Sequence, residues 1–258
     1  MLRFTSLGSG SSGNATVVEA RHGARTSRLL VDCGFGLRQL DQRLSRAQLC
    51  AADLDGIFVT HEHSDHIGSA RALSLRERLP VWMSQGTHAA AGCPDMGGML
   101  LLASDESTFA LGELEVRPFT VPHDAREPLQ LRCSDGDRSL GILTDLGHAT
   151  GHVLQQLAGC EAILLECNHD PELLANSNYH AALKKRVGGR YGHLCNADAA
   201  AIAVAVQHPR LATVVAAHLS AQNNRPELAQ AALAHALGWD AHQIGVATQA
   251  DGTPWLVV

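Results

Sequence analysis

The sequence lacks the features that would indicate a membrane-bound, secreted or disulfide-stabilised protein. No apolar run approaches the ~18 residues that a membrane helix needs. The first residues, MLRFTSLGSGSSGN, contain no basic stretch followed by an apolar segment, so no secretion signal is predicted. We therefore expect a cytoplasmic protein that does not enter membranes.

Paired cysteines and an excess of positive charge are also missing. The 7 cysteines contain no C-x-x-C pair, which favours reduced thiols over a disulfide framework or a zinc knuckle. A net charge of -6 argues against non-specific nucleic-acid binding over a basic surface, so any polyanion site must be local. Histidine, by contrast, is abundant: the chain has 15, and histidine is the commonest metal ligand.

The length of 258 residues predicts a single domain, residues 1–258, with a sizeable core. Two hairpin-like units, NATVVEARHGARTSRLLVDCG and LQLRCSDGDRSLGILTDLG, show β-rich runs on both sides of a turn. Helical patterns occur at 37–44, at 70–79, in NADAAAIAVAVQ and in RPELAQAALAHAL. The segment 168–192 is the least regular, and we expect it to be a functional loop.

A glycine-rich stretch near the start, GSGSSG at 8–13, matches G-x-G-x-x-G. A dinucleotide-binding fingerprint must open a helix, but here the β-branched run NATVVEA follows. Nucleotide binding is therefore not expected. Two interpretations stay open: a tight hairpin made of small residues, or a loop that brings backbone groups to the mouth of an active site.

A histidine-rich motif follows the apolar run GIFVT. His61, His63, Asp65 and His66 form the pattern H-x-H-x-D-H. A chain that leaves a strand can place alternate side chains on one side. The first two histidines can therefore bind one cation, while the turn delivers the aspartate and the last histidine to another. Nitrogen and oxygen donors suit zinc or manganese. Glu62, inside the motif, is expected to point away or to support a ligand.

Four side chains cannot saturate two cations, so further ligands are expected at the ends of other strands. The candidates are His123 in FTVPHDA, Asp145 in GILTDLG and His218 in VVAAHLS, each of which ends an apolar run. A histidine at a strand end is, taken alone, more often a satisfied or surface residue than a ligand. The motif at 61–66 reverses that preference because it needs partners.

The order H-x-H-x-D-H, histidine, aspartate, histidine, each closing a strand, resembles the metallo-β-lactamase superfamily over nearly the whole chain. The resemblance implies an α+β fold, an αββα sandwich with a dinuclear metal site at one edge of the two sheets. It also implies that Asp145 bridges two cations. The other ligands would be His61, His63 and His123 for one cation, and Asp65, His66 and His218 for the other.

The implied cofactor is a pair of divalent metal ions, Zn or Mn, and no organic cofactor is expected. Such a pair lies ~3.5–4 Å apart and lowers the pKa of a shared water toward ~7, so a bridging hydroxide is available as nucleophile. The pair can stabilise charge on a phosphoryl or an acyl group. The metals alone therefore leave phosphodiester and thioester hydrolysis both open.

Three features later in the chain favour phosphodiesters. His193 precedes a helix whose start is marked by Asn196, where backbone N–H groups favour a phosphate. Glu166 closes the strand AILLE and could orient and charge His193, which would then donate a proton to a leaving oxygen. The densest basic cluster is formed by Lys184, Lys185, Arg186 and Arg190, of which the first three are expected to contact the substrate.

Each of these features also has a simpler interpretation. The histidine could be an ordinary loop residue, the glutamate a supporting or solvated carboxylate, and the basic run a solvated loop surface. Taken together, the three features favour a phosphodiester substrate more strongly than any one of them alone.

Three later segments, LLECNHDPELL, YHAALKKRVGGRYGHLCNADAA and AAHLSAQNNRPELA, resemble the YycJ/WalJ-type subfamily, whose members are regarded as nucleases. The resemblance implies that Glu166 pairs with His193 near the scissile phosphate. Cys195 stands where this subfamily typically has serine, a difference that removes no metal ligand. His169 and Asn223 are further candidates for lining the substrate cleft.

The sequence thus predicts a dinuclear metallohydrolase that cleaves phosphodiester bonds, with DNA or RNA as substrate. Asp65, His193 and Glu166 are the predicted catalytic residues, and His193 is the proton donor. The alternative is a small-molecule hydrolase on the same scaffold: a thioesterase, a lactonase or a cyclic phosphodiesterase. A metal-binding scaffold without turnover is a weaker alternative, and protein partners are unknown.

Overall fold

The computed structural model describes residues 1–258. Its strands are β1 (Leu2–Gly8), β2 (Ala15–His22), β3 (Arg25–Val31), β4 (Gly56–Phe58), β5 (Val81–Ser84), β6 (Leu100–Ala103), β7 (Phe109–Leu111), β8 (Leu114–Thr120), β9 (Leu129–Ser134), β10 (Ser139–Leu143), β11 (Ala162–Glu166), β12 (Thr213–Ala217), β13 (Ile244–Val246) and β14 (Leu256–Val257). The helices are α1 (Leu37–Arg46), α2 (Ser64–Ile67), α3 (Ala70–Glu77), α4 (Gln85–Ala90), α5 (Gly151–Leu157), α6 (Pro171–Asn176), α7 (Ala181–Val187), α8 (Asn196–Ala205) and α9 (Pro226–Leu237). Short 3₁₀ turns span Ala51–Asp53 and Ala241–Gln243.

The strands form two mixed sheets of seven strands each. The first sheet has the order β14-β1-β2-β3-β4-β5-β6, and the second has the order β13-β12-β11-β10-β9-β8-β7. Both hairpins predicted from sequence are present, since β2 pairs with β3 and β9 pairs with β10 in antiparallel register. Strands β3 to β6 and β10 to β13 run parallel within their sheets.

Neighbouring residues along a strand face different layers of the core. In β2, Val17 packs among residues under α1 and α3, whereas Val18 faces the second sheet. In β11, Leu164 lies between the sheets, and Leu165 packs against α5, α8 and α9. Because both faces of the central strands are buried, β10, β11 and β12 are buried almost throughout, whereas β8, nearer the edge of its sheet, alternates between buried and exposed residues. The layers therefore stack as helix, sheet, sheet and helix, which confirms the predicted αββα sandwich.

One expectation about the chain's organisation was wrong in part. The segment 168–192 is not an irregular loop, because it contains α6 and α7. Asp170 caps α6 by accepting hydrogen bonds from the backbone of Glu172 and Leu173, and the His180 ring caps α7. Both helices are short, so their periodic signal was too weak to separate from a loop.

We propose that residues 1–258 act as one domain, because strands from both halves of the chain share the core between the sheets. None of the helices combines the length and the apolar character that crossing a bilayer requires.

A buried carboxylate joins three neighbouring strands of the first sheet, β1, β2 and β3. Glu19 in β2 is 0% exposed, and the Arg3 and Arg28 side chains donate to its two oxygens at 2.6 and 2.7 Å. Arg21 lies 2.5 Å from the same carboxylate. Burial raises the pKa of Glu19, but hydrogen bonds from the three arginines outweigh burial and lower it from 4.5 to about 2. The charged form is therefore the one that stabilises the fold.

Replacing Glu19 with glutamine is expected to lower the free energy of unfolding by about 2 kcal/mol at pH 7, because charged arginines lose a buried partner. Since the folded-state pKa is below the unfolded one, this contribution is complete above about pH 4.5 and is lost as the pH falls toward about 2. Urea unfolding at several pH values measures it. Glu113→Gln, which loses only the exposed pair with Arg25, should cost less than ~0.5 kcal/mol. Equal losses in the two variants would contradict the role of Glu19.

Candidate metal centre

The predicted ligands gather at one edge of the sandwich, where several strands end. The motif at 61–66 follows β4, His123 follows β8, and Asp145 follows β10. His218 comes directly after β12. Strands β10, β11 and β12 are parallel neighbours, so their carboxyl ends meet at the same place. Residues far apart in sequence thus lie in one cluster.

Three histidines converge at one side of this cluster. His61 Nε2 lies 3.0 Å from His63 Nδ1, and that nitrogen lies 3.3 Å from His123 Nε2. Nitrogen ligands of a tetrahedral zinc ion are separated by ~3.3 Å, given Zn–N bonds of ~2.0–2.1 Å. Burial lowers the pKa of His61 and of His123, which keeps both rings neutral and able to bind a cation.

A second group of ligand atoms lies beside the first. Asp65 Oδ2 is 3.6 Å from His66 Nε2 and 3.5 Å from His218 Nε2. Asp145 lies between the two groups: its Oδ2 is 2.8 Å from His66 Nε2, and its Oδ1 is 3.2 Å from His218 Nδ1. The same aspartate also forms a group with His61 and His66, in which the ligand atoms all lie within 4.8 Å of one another. The structure therefore brings together all seven of the predicted metal ligands.

The bonding of these atoms fits a bound cation better than a hydrogen-bonded network. Asp145 Oδ2 and His218 Nε2 are buried and have no hydrogen-bond partner. Asp145 Oδ2 lies 2.8 Å from His66 Nε2, and His61, His66 and Asp145 together could hold one ion. Buried polar atoms without partners are rare and need a reason. A divalent cation at this place would satisfy both.

The buried carboxylates of the site also favour the binding of cations. The carboxylates of Asp32, Asp145 and Glu166 are buried together. Burial lowers the pKa of His66, but Asp145 and Asp32 outweigh burial and raise it to about 10. Burial raises the pKa of Asp145, yet the neighbouring His218 and His66 hold it well below its usual value. An anionic site that must recruit positive charge is suited to divalent metal ions.

Sequence reasoning missed the residue that orients His66. The Nδ1 of this ring donates to Asp32 Oδ2 at 2.7 Å, and Thr60 donates to the same carboxylate through its backbone and its hydroxyl. Asp32 has a φ of 62°, a conformation that is uncommon outside glycine but accessible to Asp and Asn. It ends the strand LLVD, the same signal that identified His123, Asp145 and His218. A polar residue at the end of an apolar run is therefore a pattern from which Asp32 could have been predicted.

Replacing Asp32 with asparagine is expected to weaken metal binding by about 10- to 100-fold, because an acceptor that orients a ligand ring and raises its basicity is lost. Asparagine tolerates the positive φ, so the backbone should be retained. Competition with a chelator, followed by metal analysis, measures the affinity. Asp41→Asn, at an exposed ion pair with Arg76, is the control and should bind metal like the wild type. An unchanged affinity in Asp32→Asn would contradict this role.

The glycine-rich loop between β1 and β2 lies against the metal centre. Ser9 Oγ accepts a hydrogen bond from the backbone N–H of His218 at 2.9 Å. Asn14 Nδ2 lies 3.1 Å from His66 Nε2 and donates to the backbone oxygen of Asp65. Of the two interpretations left open for this loop, the second agrees with these contacts. The chain then enters β2 rather than a helix, as expected.

His193 lies next to the ligand cluster and forms the predicted pair with Glu166. Its Nδ1 donates to Glu166 Oε1 at 2.7 Å and lies 3.1 Å from Asp145 Oδ1. Burial lowers the pKa of His193, but Glu166 and Asp145 outweigh burial and hold it well above its usual value. Glu166 also binds the backbone N–H groups of Leu146 and Leu194. This carboxylate therefore fixes both the charge and the position of the ring.

A cleft of about 360 Å³ opens beside His193. His169 and Lys184, two predicted substrate contacts, line it. The His169 ring is only 4% exposed and its Nδ1 has no partner, while Lys184 Nζ donates to the Ala175 carbonyl at 2.6 Å. Cys195 lines the same cleft and caps α8, accepting from the backbone of Asp198.

Other predicted contacts are placed differently. Lys185 is exposed, and Arg186 forms an ion pair of 2.5 Å with Asp124, so its charge is already balanced. Asn196 and Asn223 do not line the cleft, although Asn223 Oδ1 is buried without a hydrogen-bond partner. Asn196 is buried and exchanges two side-chain hydrogen bonds with Asn224, and Asn223 is buried and donates to Ser220. Glu62 points away and accepts from the backbone of Arg126.

Fold and site together define a metal-dependent hydrolase with a ligand cluster at the edge of two sheets. Residues 27–218 match the family described as "Beta-lactamase superfamily domain". The chain belongs to the metallo-β-lactamase superfamily. As that fold implies, it binds divalent metal.

Two relatives are similar over almost the whole chain. The exodeoxyribonuclease YycJ of Bacillus anthracis is 34% identical over 257 residues, covering 98% of this chain and 95% of the relative. The exodeoxyribonuclease WalJ of Streptococcus pneumoniae is 30% identical over 249 residues, covering 95% and 91%. Among solved structures, the metallo-β-lactamase fold protein YhfI from Bacillus subtilis superposes with a TM-score of 0.75 at 15% identity, covering 99% of this chain and 98% of that chain. The last likeness is one of fold.

Proposed function

We propose that this protein is a nuclease that hydrolyses phosphodiester bonds in DNA or RNA with two divalent cations, zinc or manganese. The observation that carries the proposal is the His193–Glu166 pair, which lies 2.7 Å apart beside the metal ligands and at the side of an open cleft. Both curated relatives described above are named exodeoxyribonucleases, which supports the same class of substrate.

The ligands divide between the two cations according to the convergence of their donor atoms. One cation would be held by His61, His63 and His123, the other by Asp65, His66 and His218, with Asp145 shared. When bound, the cations would supply Lewis acidity toward the phosphoryl oxygens and an ionised water at neutral pH. Asp65 acts as a ligand and, by its position at the rim of the cluster, faces the substrate side.

His193 is the proposed proton donor to the leaving oxygen. Its Nδ1 is held by Glu166, so the proton available for transfer is on Nε2, which forms no hydrogen bond within the protein. The pKa of His193 is held well above its usual value by Glu166 and Asp145 against the effect of burial, so the ring is charged near neutral pH. A charged, fixed imidazole at the edge of a cleft is suited to general-acid catalysis.

The cleft beside His193 is the proposed place of the substrate strand. His169 forms part of its wall, and Lys184 provides a positive charge that no carboxylate neutralises. Lys185, the next residue of α7, is exposed and forms no ion pair. These two lysines supply the local positive charge that an otherwise acidic protein needs to bind a polyanion.

All seven cysteines are free, which supports a reducing compartment such as the cytoplasm.

The first experiment combines metal analysis of the purified protein with a substrate screen. Single- and double-stranded DNA and RNA with defined ends are compared with thioesters, lactones and cyclic nucleotides. Cleavage of polynucleotides with two metal ions per chain is expected. Turnover of only the small substrates would overturn the nuclease proposal in favour of the alternative hydrolase. Bound metal without turnover of any substrate would instead support the alternative of a metal-binding scaffold.

Charge reversal tests whether α7 contacts the polynucleotide. The double variant Lys184→Glu with Lys185→Glu should raise KM for oligonucleotides and reduce the slope of log affinity against log salt by roughly 0.7–0.9 per lost phosphate contact. The control reverses Arg38 and Arg117, two exposed residues without side-chain partners. It changes the net charge equally but should not alter the slope. If the protein is a small-molecule hydrolase, neither double variant should change its KM or the salt dependence of its activity.

A further inference from the structure

An exposed tyrosine stands next to the catalytic region without a structural role. Tyr191 is 61% exposed and precedes His193 by two positions. Aromatic side chains normally contribute to a fold by burial, and a tyrosine hydroxyl usually finds a partner when it is buried. Tyr191 is mostly exposed, its hydroxyl forms no hydrogen bond within the protein, and its one aromatic neighbour is His148, with ring centroids 6.4 Å apart and planes at 81°. The fold does not explain this residue.

The loop that carries Tyr191 is nevertheless held rigidly to the metal centre. His148 Nδ1 donates to the carbonyl of Arg190 at 2.8 Å, and His123 Nδ1 donates to the carbonyl of Gly192 at 3.0 Å. Gly147 packs so closely on the Arg190 carbonyl that any side chain at that position would overlap it. The same loop thus orients a predicted metal ligand, presents His193 and positions Tyr191.

A second cavity of about 430 Å³ opens beside Tyr191, and none of its lining residues is shared with the cleft that His169 lines. Its wall combines the tyrosine and the His148 ring with the side chains of Arg190 and Thr150. Because His148 Nδ1 is the donor to Arg190, its Nε2 is available as an acceptor. The cavity therefore offers an aromatic face together with hydrogen-bond donors and acceptors.

We propose that Tyr191 is a stacking platform for one nucleobase of the substrate strand, and that the adjoining cavity receives that base. The proposal rests on the proposed function. Two residues span at most about 7 Å, so the base would belong to a nucleotide next to the scissile phosphate. Stacking on an aromatic face requires a base that is not enclosed in a duplex, and it tolerates any sequence. The site would thus hold one unpaired nucleotide next to the scissile phosphate.

Steady-state kinetics of the metal-loaded protein on two substrates test this inference. Tyr191→Ala should raise KM for a single-stranded oligodeoxynucleotide by roughly tenfold, as expected when one stacked base is lost. It should leave kcat for bis(p-nitrophenyl) phosphate unchanged, since this diester carries no nucleobase and any stacking of its nitrophenyl rings would alter KM rather than kcat. Tyr191→Phe keeps the ring and should stay within about twofold of the wild type. Leu102→Ala, at a side chain that is 60% exposed on β6, is the matched control and should behave like the wild type.

A spectroscopic measurement gives a second criterion. An oligonucleotide with phosphorothioate linkages and a 2-aminopurine base should lose fluorescence on binding to the wild type and to Tyr191→Phe, but not to Tyr191→Ala. If the wild type cleaves oligonucleotides and Tyr191→Ala has the same KM and the same quenching, the stacking role is overturned while the nuclease proposal stands. If the wild type hydrolyses only the small diester, the nuclease proposal itself fails, and the stacking role fails with it.

Discussion

Replacing Asp145 with alanine is expected to lower turnover of any substrate by roughly a thousandfold or more, because the carboxylate lies between both groups of metal ligands. Its Oδ2 lies 2.8 Å from His66 Nε2, and its Oδ1 lies 3.2 Å from His218 Nδ1. The variant should also bind less metal. Activity assays and metal analysis of the same preparation measure both effects.

The control for this variant is Asp137→Ala, whose side chain is 90% exposed in the turn between β9 and β10. Its activity and metal content should match those of the wild type. His63→Ala, which removes one of three converging nitrogens, should also lose turnover. Full activity in Asp145→Ala or His63→Ala would contradict the ligand set. A loss of activity in Asp145→Ala with unchanged metal content would show that the aspartate acts on the substrate rather than on the cations.

The second large effect is expected for His193→Ala. If this ring protonates the leaving oxygen, its loss should reduce turnover of natural diesters by about 10²–10⁴-fold, the range typical of general-acid catalysis. Aryl diesters have good leaving groups that depart without a proton, and they should lose far less. The comparison of an oligonucleotide with bis(p-nitrophenyl) phosphate therefore isolates the proton-donating role.

The pH profile adds a check on His193. The wild type should lose activity toward oligonucleotides on the alkaline side as the ring gives up its proton, whereas the aryl diester should show a weaker dependence. His235→Ala, at an exposed position in α9, is the control and should leave both activities unchanged. Losses of the same size on both substrates would remove the proton-donor assignment. The ring would then act through the position of Asp145, which lies 3.1 Å from its Nδ1.

Local patterns predicted the ligands because each one sits at a recognisable strand end. Short apolar runs before His123 and His218 reveal a buried strand, and a polar residue that terminates such a run emerges at the edge of a sheet. Asp32 ends the apolar run LLV in the same way but was not predicted as part of the site. Its role depends on a 2.7 Å contact with His66, 34 positions away, which no local pattern contains.

The substrate side was harder to predict from sequence. Asn196 starts a helix, and polar residues at such positions often face a ligand. In the folded chain its side chain is occupied by Asn224, 28 positions later. Arg186 looks like a free positive charge in the run KKR, yet Asp124 neutralises it from another part of the chain. Tyr191 gives no periodic signal at all, because its exposure follows from how the loop at 188–192 is fastened to Gly147 and His123.

The sequence by itself predicted the αββα sandwich, through its resemblance to the metallo-β-lactamase superfamily, and the candidate metal ligands at the ends of strands. Periodicity, strand ends and the spacing of H-x-H-x-D-H are local properties that the chain carries wherever it folds. Only the tertiary structure decided which polar side chains remain free for a substrate. That outcome depends on long-range pairs such as Arg186 with Asp124 and Asn196 with Asn224. A side chain already satisfied by such a partner gains little by binding a ligand, because it must first give up the bond it has.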